Sequence, residues 1–167
     1  MKLTDLLSVD KCIEFEKEIN RKSGMNAAVF NADGIRITGY KEWANRLCPA
    51  VKSTDKGQSF ICAVAHMNMA EKAKKSGKPV FEECDVGLLK LVVPIFMGDI
   101  FLGTAGGCGL LPEKGEVDVF AVAKITDMDE NETKNLSQGI GFITQDKIMT
   151  LSELIQERIS EELKTSN

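Results

Sequence analysis

The sequence predicts an α+β domain: a five-stranded antiparallel sheet interrupted by inserted helices, with one helix before it and another at the C-terminal end. Three observations carry this. Apolar residues recur at three- and four-residue intervals in the first, central and last stretches. Five short apolar or β-branched segments are bounded by Gly, Pro, Asn or Asp. Every strand connection except the central one is short enough for antiparallel pairing.

From Ser8 to Lys22, the residues Val9, Cys12, Ile13, Phe15 and Ile19 form an amphipathic helical stripe, with Ser8 placed to cap it and Gly24 to end it. Segments 26–31 and 35–38 flank Asp33-Gly34, a tight-turn dipeptide, and are expected to pair as a hairpin. Between Trp43 and Gly57, Pro49 interrupts the pattern and only short helical turns are expected. A firmer helix follows from about Gln58 to Ser76, stopped by Gly77 and Pro79. Its least polar face carries Cys62, Ala65, His66, Met69 and Ala73, so the single histidine is expected to point inward.

Three more strands are expected at Val80 to Cys84, Leu88 to Met97 and Ile100 to Leu111, the last two turning at Gly98-Asp99. The middle one is apolar almost throughout, as in a strand covered on both faces. Gly103, Gly106, Gly107 and Gly109 thin the last strand, which marks a bend or close approach by a neighbour or ligand. A helix from Val117 to Lys124 follows, then one opened by Asp129 and Glu132 at capping-box spacing. The final helix, about 144–164, carries Ile148, Leu151, Ile155, Ile159 and Leu163 in one stripe. That stripe either docks on its own domain or pairs with a copy to make a homodimer. The reading is a single domain over 1–167, with a core of about 8–143. Helix, two strands, helices, three strands, helices is the order of a PAS-like sheet, which cradles small molecules beneath its inserted helices.

A chain of 167 residues, 43% hydrophobic and 28% charged, has the composition of a globular domain rather than a disordered or collagenous one. With a net charge of −4 and no Lys or Arg run longer than two, it lacks the footprint of direct nucleic-acid binding. No segment reaches the ~18 consecutive apolar residues of a membrane helix. The opening Met1-Lys2-Leu3-Thr4-Asp5 has no signal-peptide core, and a cytoplasmic location is expected. Five cysteines, an odd number in a reducing compartment, argue against a disulfide framework.

The string Phe81-Glu82-Glu83-Cys84-Asp85-Val86-Gly87-Leu88, followed by Val93-Pro94-Ile95, Leu102-Gly103 and Gly106-Gly107, resembles the PocR ligand-binding domain of bacterial and archaeal signalling proteins. Asp33-Gly34, Cys48, Cys62 and Lys78-Pro79 fall in the same order, and the similarity runs from about Leu3 to Leu154. The resemblance implies a sensor that binds a small hydrocarbon derivative such as an alcohol or diol and is normally fused to an output module; for this chain a non-enzymatic role with a separate signalling output protein as partner is expected. Three departures stand out. Cys84 is followed by Asp85 where the family has His, His66 stands where an acid is common, and Cys108 replaces a glutamine. The first two suggest an imidazole and a carboxylate exchanged across one pocket.

The expected ligand contacts are therefore Cys62, His66, Met69, Cys84, Asp85, Gly107 and Cys108. An ionised carboxylate such as Asp85 is a strong acceptor for ligand hydroxyls. Cys48, Cys62, His66 and Cys84, with Cys108, are also the residue types that hold zinc, haem or an iron–sulfur centre, and a redox or metallo-sensor is the alternative reading. Only Cys62 and His66 have a local spacing that puts two ligands on one helix face. A thiol beside His66 also admits a small cysteine-dependent hydrolase as a third reading. Against the metal reading stands the ordinary role of cysteine as a small buried apolar group.

Overall fold

Ser8 opens the first helix, α1 (Val9–Ser23), by accepting a hydrogen bond from the Lys11 amide at 3.3 Å, and Gly24 closes it in the left-handed conformation, φ 75°. The computed structural model describes residues 1–166. Strand β1 (Asn26–Asn31) follows, then α2 (Leu47–Ser53) and α3 (Asp55–Gly57). A π-helical turn (Gln58–Cys62) runs directly into α4 (Ala63–Ser76). Strands β2 (Val80–Glu83), β3 (Leu89–Met97) and β4 (Ile100–Pro112) come next. The chain ends with α5 (Val119–Thr126), α6 (Glu130–Leu136), β5 (Phe142–Ile143) and α7 (Gln145–Thr165). The fold is α+β and PAS-like.

The sheet is ordered β1-β4-β3-β2 with antiparallel neighbours, and β5 pairs in parallel with the end of β4 at Leu111 and Pro112. The fifth strand is thus β5 rather than segment 35–38, which keeps only a single bridge, Arg36 to Phe30. The cause is Glu16. In a regular hairpin Ile37 would both donate to and accept from Val29. The Ile37 amide does donate to the Val29 carbonyl at 2.9 Å, but the Val29 amide donates instead to the buried Glu16 carboxylate at 2.8 Å. The Thr38 hydroxyl donates to the same carboxylate, so α1 occupies the place of a ladder bond and the second strand never forms.

Alternation along the strands divides the sheet into two faces. Ala27, Val29, Leu91, Val93 and Ala105 pack with α1 and with the α7 stripe, all five residues of which are buried. The stripe docks within this chain and is not available to a copy. On the other face Val92 packs against Met69 and Ala73 of α4. β3 is therefore covered on both sides where Leu91, Val92 and Val93 are buried in succession. Pro49 does not break the insertion: it falls in the first turn of α2, where an amide would lack a partner in any case. Among the described residues no helix is long and apolar enough to cross a membrane.

Candidate functional site

Two glycines of β4 leave room for another part of the protein. A Cβ at Gly106 would collide with the Leu91 carbonyl oxygen of β3. At Gly109, whose φ is 104°, a Cβ would stand 2.9 Å from the Ala44 methyl and 3.2 Å from Asn45 Nδ2. That close approach lets Asn45 donate to the Gly109 carbonyl at 2.7 Å while its own Oδ1 accepts from the Cys48 amide at 2.7 Å. The start of α2 is thereby tied to β4, and the inserted helices are held off the sheet as a roof.

Beneath that roof lies a cavity of about 220 Å³. Val51, Ile61, Val86 and Leu88 supply its apolar wall. Cys48, Cys62, Cys84 and Cys108 all line it, each from a different segment, whereas Cys12 is buried on the opposite side of the sheet among the α1 and α7 core residues. Burial pushes the Cys48 thiol up to about 12 and also raises Cys62 and Cys84, so these are protonated thiols rather than nucleophiles or ready metal ligands.

A narrow inner extension of about 20 Å³ continues between the sheet and α4, sharing Phe30, Lys52, His66, Lys90 and Cys108 with the main cavity. It has room for about one water-sized group. His66 stacks on Phe30 with ring centres 3.7 Å apart, and Lys90 Nζ lies 5.7 Å from the centre of the Phe30 ring. Burial, with Lys90 and Lys52 nearby, pulls the His66 pKa down to about 3, and the imidazole is neutral. Burial likewise lowers Lys52.

Six buried side-chain atoms lack a hydrogen-bond partner among the described residues: Asn26 Oδ1, Thr104 Oγ1, both His66 ring nitrogens, and Arg36 Nε and Nη1. All four residues line the inner extension. Buried polar groups are nearly always paired with protein or ordered water, and here the ones without a protein partner gather at one end of one cavity. His66, Asn26 and Thr104 are only 5%, 4% and 2% exposed, which excludes bulk water as their partner.

Of the sequence-derived contacts, Cys62, His66, Cys84 and Cys108 line the cavity and Gly107 touches the inner extension with its backbone. Met69 does not. It is packed against Ala73 and Val92, as ordinary core. Asp85 is exposed and borders a separate hollow beside Glu82, Glu83 and Asn68. The exchange of Asp85 for His66 is therefore not a facing pair, because the turn after β2 carries Asp85 to the outer side while β1, β3 and α4 enclose His66. Cys48, Cys62, His66 and Cys84 ring the cavity without converging: among the described residues no three or more His, Cys, Asp or Glu side chains are grouped to hold a metal ion. The thiols come from separate elements across the cavity's width, which is why spacing along the chain brought them together only loosely. Asn26, Phe30, Arg36, Lys52, Lys90 and Thr104 escaped the sequence reading. Of these only Lys90 had a visible signal, as the one charge inside the apolar run from Leu88 to Met97.

A PAS-like sheet thus carries, beneath its inserted helices, a partly open cavity with unpaired polar groups at its inner end. The family model described as the sensory domain found in PocR matches residues 5–164, and the chain belongs to that family. No curated protein and no solved structure matches the chain.

Proposed function

We propose that this chain senses a small amphiphilic organic molecule held between the sheet and the inserted helices, in a non-enzymatic role within signal transduction. One observation carries the reading: an apolar cavity of about 220 Å³ ends where six buried polar atoms have no partner. A ligand with an apolar body and a polar head would satisfy both halves at once. The surrounding groups favour binding over chemistry, since the three raised thiols are poor nucleophiles and neither His66 nitrogen makes a hydrogen bond to one of them.

The ligand would bridge Lys90 and Thr104 on the strands to His66 and Lys52 on the insertion. Its differential affinity for one arrangement of α2 to α4 would shift their population, and a partner protein reading that surface would receive the signal. A thermal-shift screen with short alcohols, diols, aldehydes, aromatics and carboxylates tests this. At least one class should raise the melting midpoint of the wild-type chain, and Cys62→Phe, which fills the cavity from the π-turn, should abolish that shift while the variant still melts cooperatively. Stabilisation that survives Cys62→Phe undiminished would place the ligand elsewhere and overturn the reading.

A further inference from the structure

We infer that the ligand is an anion: a small organic carboxylate with its head at Lys90, Lys52 and His66 and its body along Val51, Ile61 and Leu88. The inference rests on the reading of this cavity as the ligand site and specifies what that site selects.

Charge is the first ground. Lys52 and Lys90 line both the main cavity and its inner extension, and Arg36 lines the extension. Neither lysine makes an ion pair among the described residues. The inner extension has no acidic residue in its wall, and the single acid bordering the main cavity is the exposed Asp33. Glu16 is the carboxylate nearest Arg36, at 4.0 Å, but it belongs to α1 and is already taken up by the Val29 amide and the Thr38 hydroxyl. Two ammonium groups thus face a small, partly desolvated space with no ion-pair partner among the described residues, beside a guanidinium whose Nη2 lies 4.0 Å from Glu16 while its Nε and Nη1 stay unpaired.

The second ground is the hydrogen-bonding inventory. The buried groups without partners are mainly donors, namely Arg36 Nε and Nη1, one imidazole N–H and the Thr104 hydroxyl, and the half-buried Lys52 and Lys90 ammonium groups stand beside them in the wall. The acceptors facing them are Asn26 Oδ1 and the second imidazole nitrogen. An ionised carboxylate presents only acceptor sites, up to four of them, and matches this surplus. A diol adds two donors of its own to a site already rich in donors and, being neutral, leaves the two lysines uncompensated. A primary amine would add a fourth cation. Size agrees as well, because the inner extension admits about one oxygen-sized group, leaving the other oxygen at the Lys52 and Lys90 side.

Matched skeletons test the head group. Butyrate, hexanoate and benzoate are compared with the alcohols and amines of the same carbon frameworks, by thermal shift and by calorimetric titration of the full chain. The carboxylates should bind, the alcohols at least about tenfold more weakly, and the amines not at all. Lys90→Met retains an unbranched side chain of similar length and removes the charge. It should weaken carboxylate binding about tenfold while leaving alcohol binding within about twofold. Alcohols or amines binding as well as the carboxylates would overturn the anion inference and leave the cavity reading intact. Carboxylates binding equally to wild type and Lys90→Met would overturn the inference too. If none of the compounds in any of the three sets binds, the cavity reading falls and the inference with it.

Discussion

Phe30 is the residue on which the inner end of the cavity is assembled, with the His66 ring stacked upon it and Lys90 reaching over it from β3. The consequence is a histidine that refuses a proton. Its pKa falls from 6.5 to about 3 through burial first, then through the positive charges of Lys90 and Lys52. The sign of the pH effect follows by linkage. As pH falls below 6.5 the unfolded imidazole takes up a proton that the folded one excludes until about pH 3, so stability drains away across that window. At roughly 1.4 kcal/mol per unit, the loss is of the order of a few kcal/mol. His66→Phe preserves the stack and removes the titration. Urea unfolding of the variant between pH 7 and pH 4 should show a distinctly shallower decline than wild type, and parallel declines would contradict the burial of His66. The thiols belong to the same scale: Cys48, Cys62 and Cys84 are held protonated and serve as small apolar wall residues.

Among the elements, α7 and the 35–38 segment show opposite outcomes of sequence patterning. The α7 stripe is a 3.6-residue repeat bounded by Thr144, which caps the helix by accepting from the Lys147 amide at 3.2 Å, and every apolar member is buried. Such a pattern is legible because helix periodicity and capping are local. Truncating its fully buried centre, Ile155→Ala, should cost about 2–5 kcal/mol, read from urea or thermal unfolding. A loss under 1 kcal/mol would mean that α7 does not dock on the sheet. Segment 35–38 had an equally good local signal in Asp33-Gly34, yet it makes only one bridge because a carboxylate from α1 takes the Val29 amide. Likewise the π-turn at Gln58–Cys62 is invisible in the pattern of apolar residues, although Gln58, Ile61 and Cys62 all border the cavity. Long-range partners decided both cases, and spacing along the chain does not report them.

At the level of the whole molecule, the sheet separates two different interiors. The face toward α1 and α7 is a filled apolar core, while the face toward α2 to α4 is left partly open and lined with cations, thiols and polar atoms that the protein itself does not pair. Alternation along β1, β3 and β4 carried this division, and the succession of the main helices and strands was readable in the sequence, apart from segment 35–38, the π-turn and β5. The chemistry of the cavity was not, since Asn26, Arg36, Lys52, Lys90 and Thr104 converge from β1, the 35–38 segment, α2, β3 and β4 with no common motif. On the proposed function, a ligand that pairs these groups would stabilise the fold, and stability would depend on occupancy. The most direct test is a crystal structure of the chain grown with hexanoate. Density for the acid beneath α4, with its carboxylate within hydrogen-bonding distance of Lys90 and of His66 or Thr104, is the expected result. Side chains filling that space, or hexanoate bound only on the outer surface, would contradict it.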